Sequence, residues 1–235
     1  MSDRINERTR RMALSALFCA LAFLVTLLPS PKVSFLSFDI KDTVIATASL
    51  MIGPSAAISL SIAVPLLEFI TVGTTGPWGL LMDVLSTAAF SVTASFIYNY
   101  RKTLGGAVLS LSVAALLQIA VMMLANILIT PLYLSVDAAG VAAARKTVIA
   151  MLPTLLLPFN AVKSVFNASL VMLLYKPLTE ALRRAGVLSG RGGEGTRYTL
   201  GGRTLVVLLL SLAVVVGMML VLFLVLGASF PGGAA

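Results

Sequence analysis

Long apolar runs separated by short polar, glycine or proline breaks make up most of the chain, and their lengths predict helices. The first run, residues 12–28, follows a basic head containing Arg4, Arg8, Arg10 and Arg11 and stops at Pro29-Ser30-Pro31. No small-residue cleavage site follows it, so it is expected to stay in the protein as a first helix. A polar loop, 30–41, leads to a shorter run over 43–52 that is closed by the breaker pair Gly53-Pro54. Ten residues reach only ~15 Å, about half the hydrocarbon thickness of a bilayer. This second helix is therefore expected to begin inside Asp39-Ile40-Lys41-Asp42 and to be shielded in part by protein.

The third run, 55–72, carries Pro65, and the loop Gly73-Thr74-Thr75-Gly76-Pro77 leads into a fourth over 78–98. Arg101-Lys102 marks the end of the fourth, and a fifth, 104–129, stops at Thr130-Pro131. A polar stretch through Asp137, Arg145 and Lys146 precedes the sixth, about 148–175, with Pro153 and Pro158 near its start. A glycine- and arginine-rich linker over 186–203 joins the last run, 204–226, whose length of ~34 Å as a helix is enough to span. The expected organisation is a basic head (1–11), a membrane domain (12–185), the linker (186–203), an additional transmembrane helix (204–226) and a tail (227–235).

Composition turns this pattern into a class. Hydrophobic residues make up 59% of the chain and charged residues 11%, with a mean hydropathy of +1.03. Globular domains carry about 25% charged residues, so there is too little polar surface here to cover a soluble particle. Water-soluble enzymes, nucleic-acid binders and secreted disulfide scaffolds are excluded. The runs are too long and too uniformly apolar for the alternating strands of a membrane barrel, so the fold class is all-α, an integral membrane helical bundle. No inverted internal repeat of the secondary-transporter kind is evident. The net charge of +8 belongs to segment ends and short loops rather than to a basic face. With the N-terminus in the cytoplasm, twelve lysines and arginines lie inside and four (Lys32, Lys41, Arg145, Lys146) outside. That bias predicts a cytoplasmic N-terminus and, for seven spans, an external C-terminus. Cys19 is the lone cysteine and histidine is absent, which removes the intramolecular disulfide and the commonest metal ligand.

Polar residues inside apolar runs are the candidate chemistry, because a charged side chain at the bilayer centre costs roughly 2.5–3.5 kcal/mol on insertion scales. At 100° per residue Asn160, Lys163, Ser164 and Asn167 fall at about 0°, 300°, 40° and 340°, one stripe along the sixth segment. That stripe either lines a ligand pocket opening outward or packs helices, with Lys163 paired to Glu68 or Asp83. Asn126, near Pro131 and Tyr133, can donate and accept at once, which suits an imide or lactam edge; a helix–helix bond is the other reading. Ala13, Ala16 and Ala20 form a small-residue stripe on the first helix, fit for internal packing or for docking another membrane protein. No phosphate loop, His-Glu-x-x-His or Gly-x-Ser-x-Gly elbow occurs in the chain, so an enzyme is not expected.

Taken in order, several segments resemble the substrate-binding S components of energy-coupling-factor (ECF) vitamin transporters, most closely their riboflavin-specific branch. They are Phe35-Leu36-Ser37-Phe38-Asp39-Ile40-Lys41-Asp42, Met51-Ile52-Gly53-Pro54, Gly73-Thr74-Thr75-Gly76-Pro77-Trp78-Gly79, Asn126 through Pro131-Leu132-Tyr133, and Leu157-Pro158-Phe159-Asn160-Ala161-Val162-Lys163. The resemblance covers about residues 10–180. It implies a six-helix core, an outward-facing vitamin pocket and a first external loop acting as a lid. It further implies that Asn126, Asn160, Lys163 and Asn167 line the site, with Phe38 and Asp39 of the lid, Thr75, Gly76 and Trp78 of the second loop, Asp83 and Tyr133. Asp83 stands where the family pattern leads one to expect asparagine. The alanine stripe looks like the docking face for a transmembrane T component, and two ATPase subunits would supply the energy. The expected ligand is riboflavin or its phosphorylated form FMN, with no cofactor, no metal and no nucleic acid. An S component for biotin, thiamine or pantothenate, or a non-transport membrane subunit, stays open on the residues alone. The last helix, 204–226, lies outside the six-helix pattern.

Overall fold

The fold was obtained as a computed structural model, which describes residues 2–73, 76–134, 138–184 and 202–227. Nine α-helices are described: α1 (Ser2–Thr26), α2 (Lys41–Ile52), α3 (Pro54–Thr71), α4 (Gly76–Tyr100), α5 (Leu104–Leu128), α6 (Thr130–Leu134), α7 (Ala138–Met151), α8 (Leu157–Arg184) and α9 (Gly202–Leu220). Among the described residues six helical stretches are long and apolar enough to cross a membrane: Arg8–Thr26, Pro54–Thr71, Gly76–Tyr100, Leu104–Leu132, Gly140–Leu182 and Thr204–Val225. The odd one among the seven apolar runs is α2. Its twelve residues reach ~18 Å, and it packs against α1, α3, α4 and α8 in the middle of the bundle.

Enclosure of α2 follows from its sequence. Nine of its residues are buried, among them Lys41, Asp42, Thr43, Thr47 and Ser49. The hydroxyls of Thr47 and Ser49 donate to the carbonyls of Thr43 and Ile45 one turn earlier, which satisfies them inside the bundle. The turn into α3 needs Gly53, whose φ of 122° is a conformation that side chains disfavour. Pro54 then opens α3 at a position where its missing N–H costs nothing.

One narrow seam holds α1. Leu14, Phe18 and Ala22, four residues apart, are buried against Ile45, Ala48, Leu60 and Val64. Ala13, Ala16 and Ala20 lie on its exposed side. The α4–α5 turn is tight: Thr103 caps α5 by accepting from the Gly106 amide at 3.0 Å, and a Cβ at Gly106 would lie 1.9 Å from the Arg101 carbonyl.

Several boundaries differ from the sequence expectation: α1 already begins at Ser2, α8 runs on to Arg184, and α9 ends at Leu220. The stretch read as a polar approach to the sixth helix is helical from Ala138 onward, because its alanines favour helix strongly enough to carry Arg145 and Lys146. Between α7 and α8 lies a wide π-type turn, Leu152–Leu156. Pro158 has no N–H to give and its ring would crowd a carbonyl one turn back, so the ladder widens there. A second such turn, Val221–Val225, ends α9.

Candidate functional site

Between α1 and α2 the chain forms a small hairpin, β1 (Lys32–Val33) paired antiparallel with β2 (Leu36–Ser37). Its turn includes Ser34 at φ 56°, and the Phe38 amide donates back to the Pro31 carbonyl at 2.9 Å. This closed loop delivers Phe38 and Asp39 onto α8. The Phe38 ring meets Phe159 and Phe166 edge-on, with centroids 6.2 and 5.1 Å away. Beside it Lys163 donates to Asp39 Oδ2 at 2.8 Å and lies 3.8 Å from Asp42. Burial alone would raise the Asp39 carboxyl above its usual range, but the charges of Lys163 and Lys41 outweigh it and hold the group below that range.

The α8 stripe is present as read from the sequence: Asn160, Lys163, Ser164 and Asn167 are all buried. From it a chain of hydrogen bonds crosses the bundle. Ser164 donates to Gln118 Oε1 on α5 at 2.8 Å, and Gln118 Nε2 donates to Asp42 on α2 at 3.1 Å and to Ser86 on α4 at 2.9 Å. Thr87 donates to the other Asp42 oxygen at 2.7 Å. Thr43 donates to Asn167 Oδ1 at 2.6 Å, while Asn167 Nδ2 and Asp39 Oδ1 are buried without a hydrogen-bonding partner. An unused donor therefore sits one turn along α8 from Lys163, and an unused acceptor on the carboxylate that pairs with it.

Glu68 and Asp83 do not pair with Lys163. Both hold Lys41, which is 2% exposed at the start of α2. The two amides expected to read a ligand edge are turned onto their own helices. Asn126 donates to the Met122 carbonyl at 2.7 Å and accepts from Thr130 at 2.9 Å; Asn160 donates to the Leu156 carbonyl at 2.8 Å. Gly76 opens α4 at φ 67°, and Trp78 in its first turn is 42% exposed. Tyr133 lies on α6, and Thr75 falls outside the described residues. The site members that sequence reasoning missed are Lys41, Asp42, Thr43, Thr87 and Gln118. The signal for the first three was a charged run leading into a helix too short to span alone.

Around this network four carboxylates (Asp39, Asp42, Glu68, Asp83) face two ammonium groups (Lys41, Lys163). Each lysine is already paired, so the arrangement offers hydrogen-bond acceptors and amide donors rather than a free cation. Phenylalanine walls and buried amides together suit a ligand with a flat apolar part and a polar edge.

A family model described as "ECF transporter, substrate-specific component" matches residues 10–175. The chain is 26% identical over 184 residues to a protein named riboflavin transporter RibU from Staphylococcus aureus (strain TCH60), covering 76% of this chain and 95% of that one. A solved structure titled "Structure and mechanism of the S component of a bacterial ECF transporter" superposes with a TM-score of 0.61 at 24% identity, covering 75% of this chain and 99% of the other. With the matched residues running from the first membrane helix through the Lys163 stripe of α8, this chain belongs to the substrate-specific component family of ECF transporters.

Proposed function

We propose that the chain binds riboflavin between the 30–40 loop and the α8 stripe once that loop lifts, taking it up from outside. A transmembrane T component and two ATPase subunits then complete the importer, and the N-terminus is cytoplasmic. The observation that carries this reading is the covered stripe itself. Lys163, Asn167 and Asp39 form a buried polar site with an unused donor and acceptor, walled by Phe38, Phe159 and Phe166. The imide edge of a flavin matches the amide donor and, once Asp39 moves off it, the Lys163 ammonium; its benzenoid end matches the phenyl rings, and its ribityl hydroxyls match the carboxylates. Kinship with a protein named as a riboflavin transporter supports the same ligand. For Asn126 and Asn160 to take part, their side chains must leave their own helix carbonyls when the ligand arrives.

The test is an absorption spectrum of the purified protein, followed by titration of the colourless form with riboflavin, read by fluorescence quenching. Saturable quenching is expected, and Lys163→Ala should weaken binding about tenfold or more, since a hydrogen bond to a charged group contributes about 1.5–3 kcal/mol. Absence of quenching, or undiminished affinity in a folded Lys163→Ala variant, overturns the reading. One observation favours a second candidate: four carboxylates against two lysines would suit a cationic vitamin such as thiamine. Saturable thiamine binding without flavin binding would select it.

A further inference from the structure

The helix outside the family pattern touches the loop that covers the site. Leu222, in the wide turn Val221–Val225 that ends α9, is fully buried. It belongs to one apolar cluster with Val33 and Phe38 of the covering loop and Phe159, Val162 and Phe166 of α8. Val215, Met218, Met219 and Phe223 pack against the same cluster. Along the rest of α9 large apolar side chains face outward: Leu205, Val206, Leu209 and Leu210 are exposed, and Leu224, two residues from Leu222, is 79% exposed. Apart from Ser211, the one buried residue among those described in this segment is Leu222, where the chain meets the cover.

The cover must move for any ligand to reach Lys163, since Asp39 occupies its ammonium group and Phe38 lies between Phe159 and Phe166. We propose that α9 is a clamp on that cover, with Leu222 as its positioning residue, so that opening of the 30–40 segment is slower than the loop's own contacts would make it. The inference rests on the reading of the α8 stripe as the ligand site. Contacts made equally with the ligand present and absent cancel from the equilibrium affinity. The clamp therefore acts on rates: it slows entry and release together.

The experiment compares the full-length protein with its Leu222→Ala, Leu222→Val and Leu224→Ala variants. The first readout needs no ligand: hydrogen–deuterium exchange of the backbone amides in segment 31–40 (Pro31 itself has none), among them the Phe38 amide that donates to the Pro31 carbonyl. The second is stopped-flow quenching of riboflavin. Leu222→Ala should speed exchange in 31–40 at least fivefold while α2 and α5 keep their protection. It should raise association and dissociation rates by a similar factor with the Kd changed less than twofold. Leu222→Val should move both readouts the same way by less, and Leu224→Ala should move neither. Unchanged exchange in 31–40 overturns the clamp, as does a loss of protection spread over the whole bundle, or a weakened Kd with an unchanged association rate. Should riboflavin not bind the unmodified protein, the ligand reading fails, and the exchange result alone then decides the clamp.

Discussion

Lys41 is the residue at which charge and burial conflict most. It is 2% exposed and held by Glu68 and Asp83, which are themselves 30% and 22% exposed. Replacing it with methionine keeps the volume and leaves two carboxylates without their cation. Breaking a buried pair from one side costs about 3–5 kcal/mol, discounted here because both carboxylates reach solvent. Lys41→Met should lower stability by about 2–3 kcal/mol, read as a lower melting temperature in detergent. Adding Glu68→Gln and Asp83→Asn should recover much of the loss, and a melting temperature unaffected by Lys41→Met would remove the ion pairs from the account. The sequence marked Lys163, Glu68 and Asp83 as charges inside apolar runs, but not who pairs with whom. Any carboxylate within reach is an equal candidate until the helices are packed. Lys41 and Asp42 stood only as the expected polar start of the second helix, because the first turn of α2 carries them, ahead of the apolar run.

At the scale of elements, hydropathy was a good guide wherever a helix faces lipid over its whole length. It recovered α3, α4, α5 and α9 to within about two residues at most ends, the usual fraying of such boundaries. It failed at α7, where arginine and lysine on an alanine-rich helix resemble a loop, and it could not foresee the π-type turns. Helix α1 shows what periodicity can add. Its buried seam is Leu14, Phe18 and Ala22, so the opposite stripe of Ala13, Ala16 and Ala20 stays uncovered in the isolated chain. Small side chains permit close helix approach in a membrane. Ala16→Trp should therefore abolish co-purification with the T component while leaving flavin binding within about twofold of the unmodified protein. Intact co-purification would place the docking face elsewhere.

For the molecule as a whole, the charge of the site decides between related ligands. Four carboxylates and two already paired lysines surround it, and a phosphate carrying about two negative charges would be repelled there. Riboflavin is expected to bind at least about tenfold tighter than FMN, corresponding to about 1.4 kcal/mol. Side-by-side titrations check this, and equal affinities would mean that the phosphate never nears the carboxylates. The separation in sequence of these charges has a consequence for how the protein is made. Asp39 and Lys163 are 124 residues apart, so at about 5–20 residues per second the ribosome reaches the lysine roughly 6–25 s after the aspartate. Until then Asp39 and Asp42 lack that cation, and the hairpin has no phenylalanine-lined wall to rest on. The site cannot close in the order in which its parts are translated. Insertion of the early helices has to leave the loop and the head of α2 at the aqueous boundary, and the arrival of α8 draws them in.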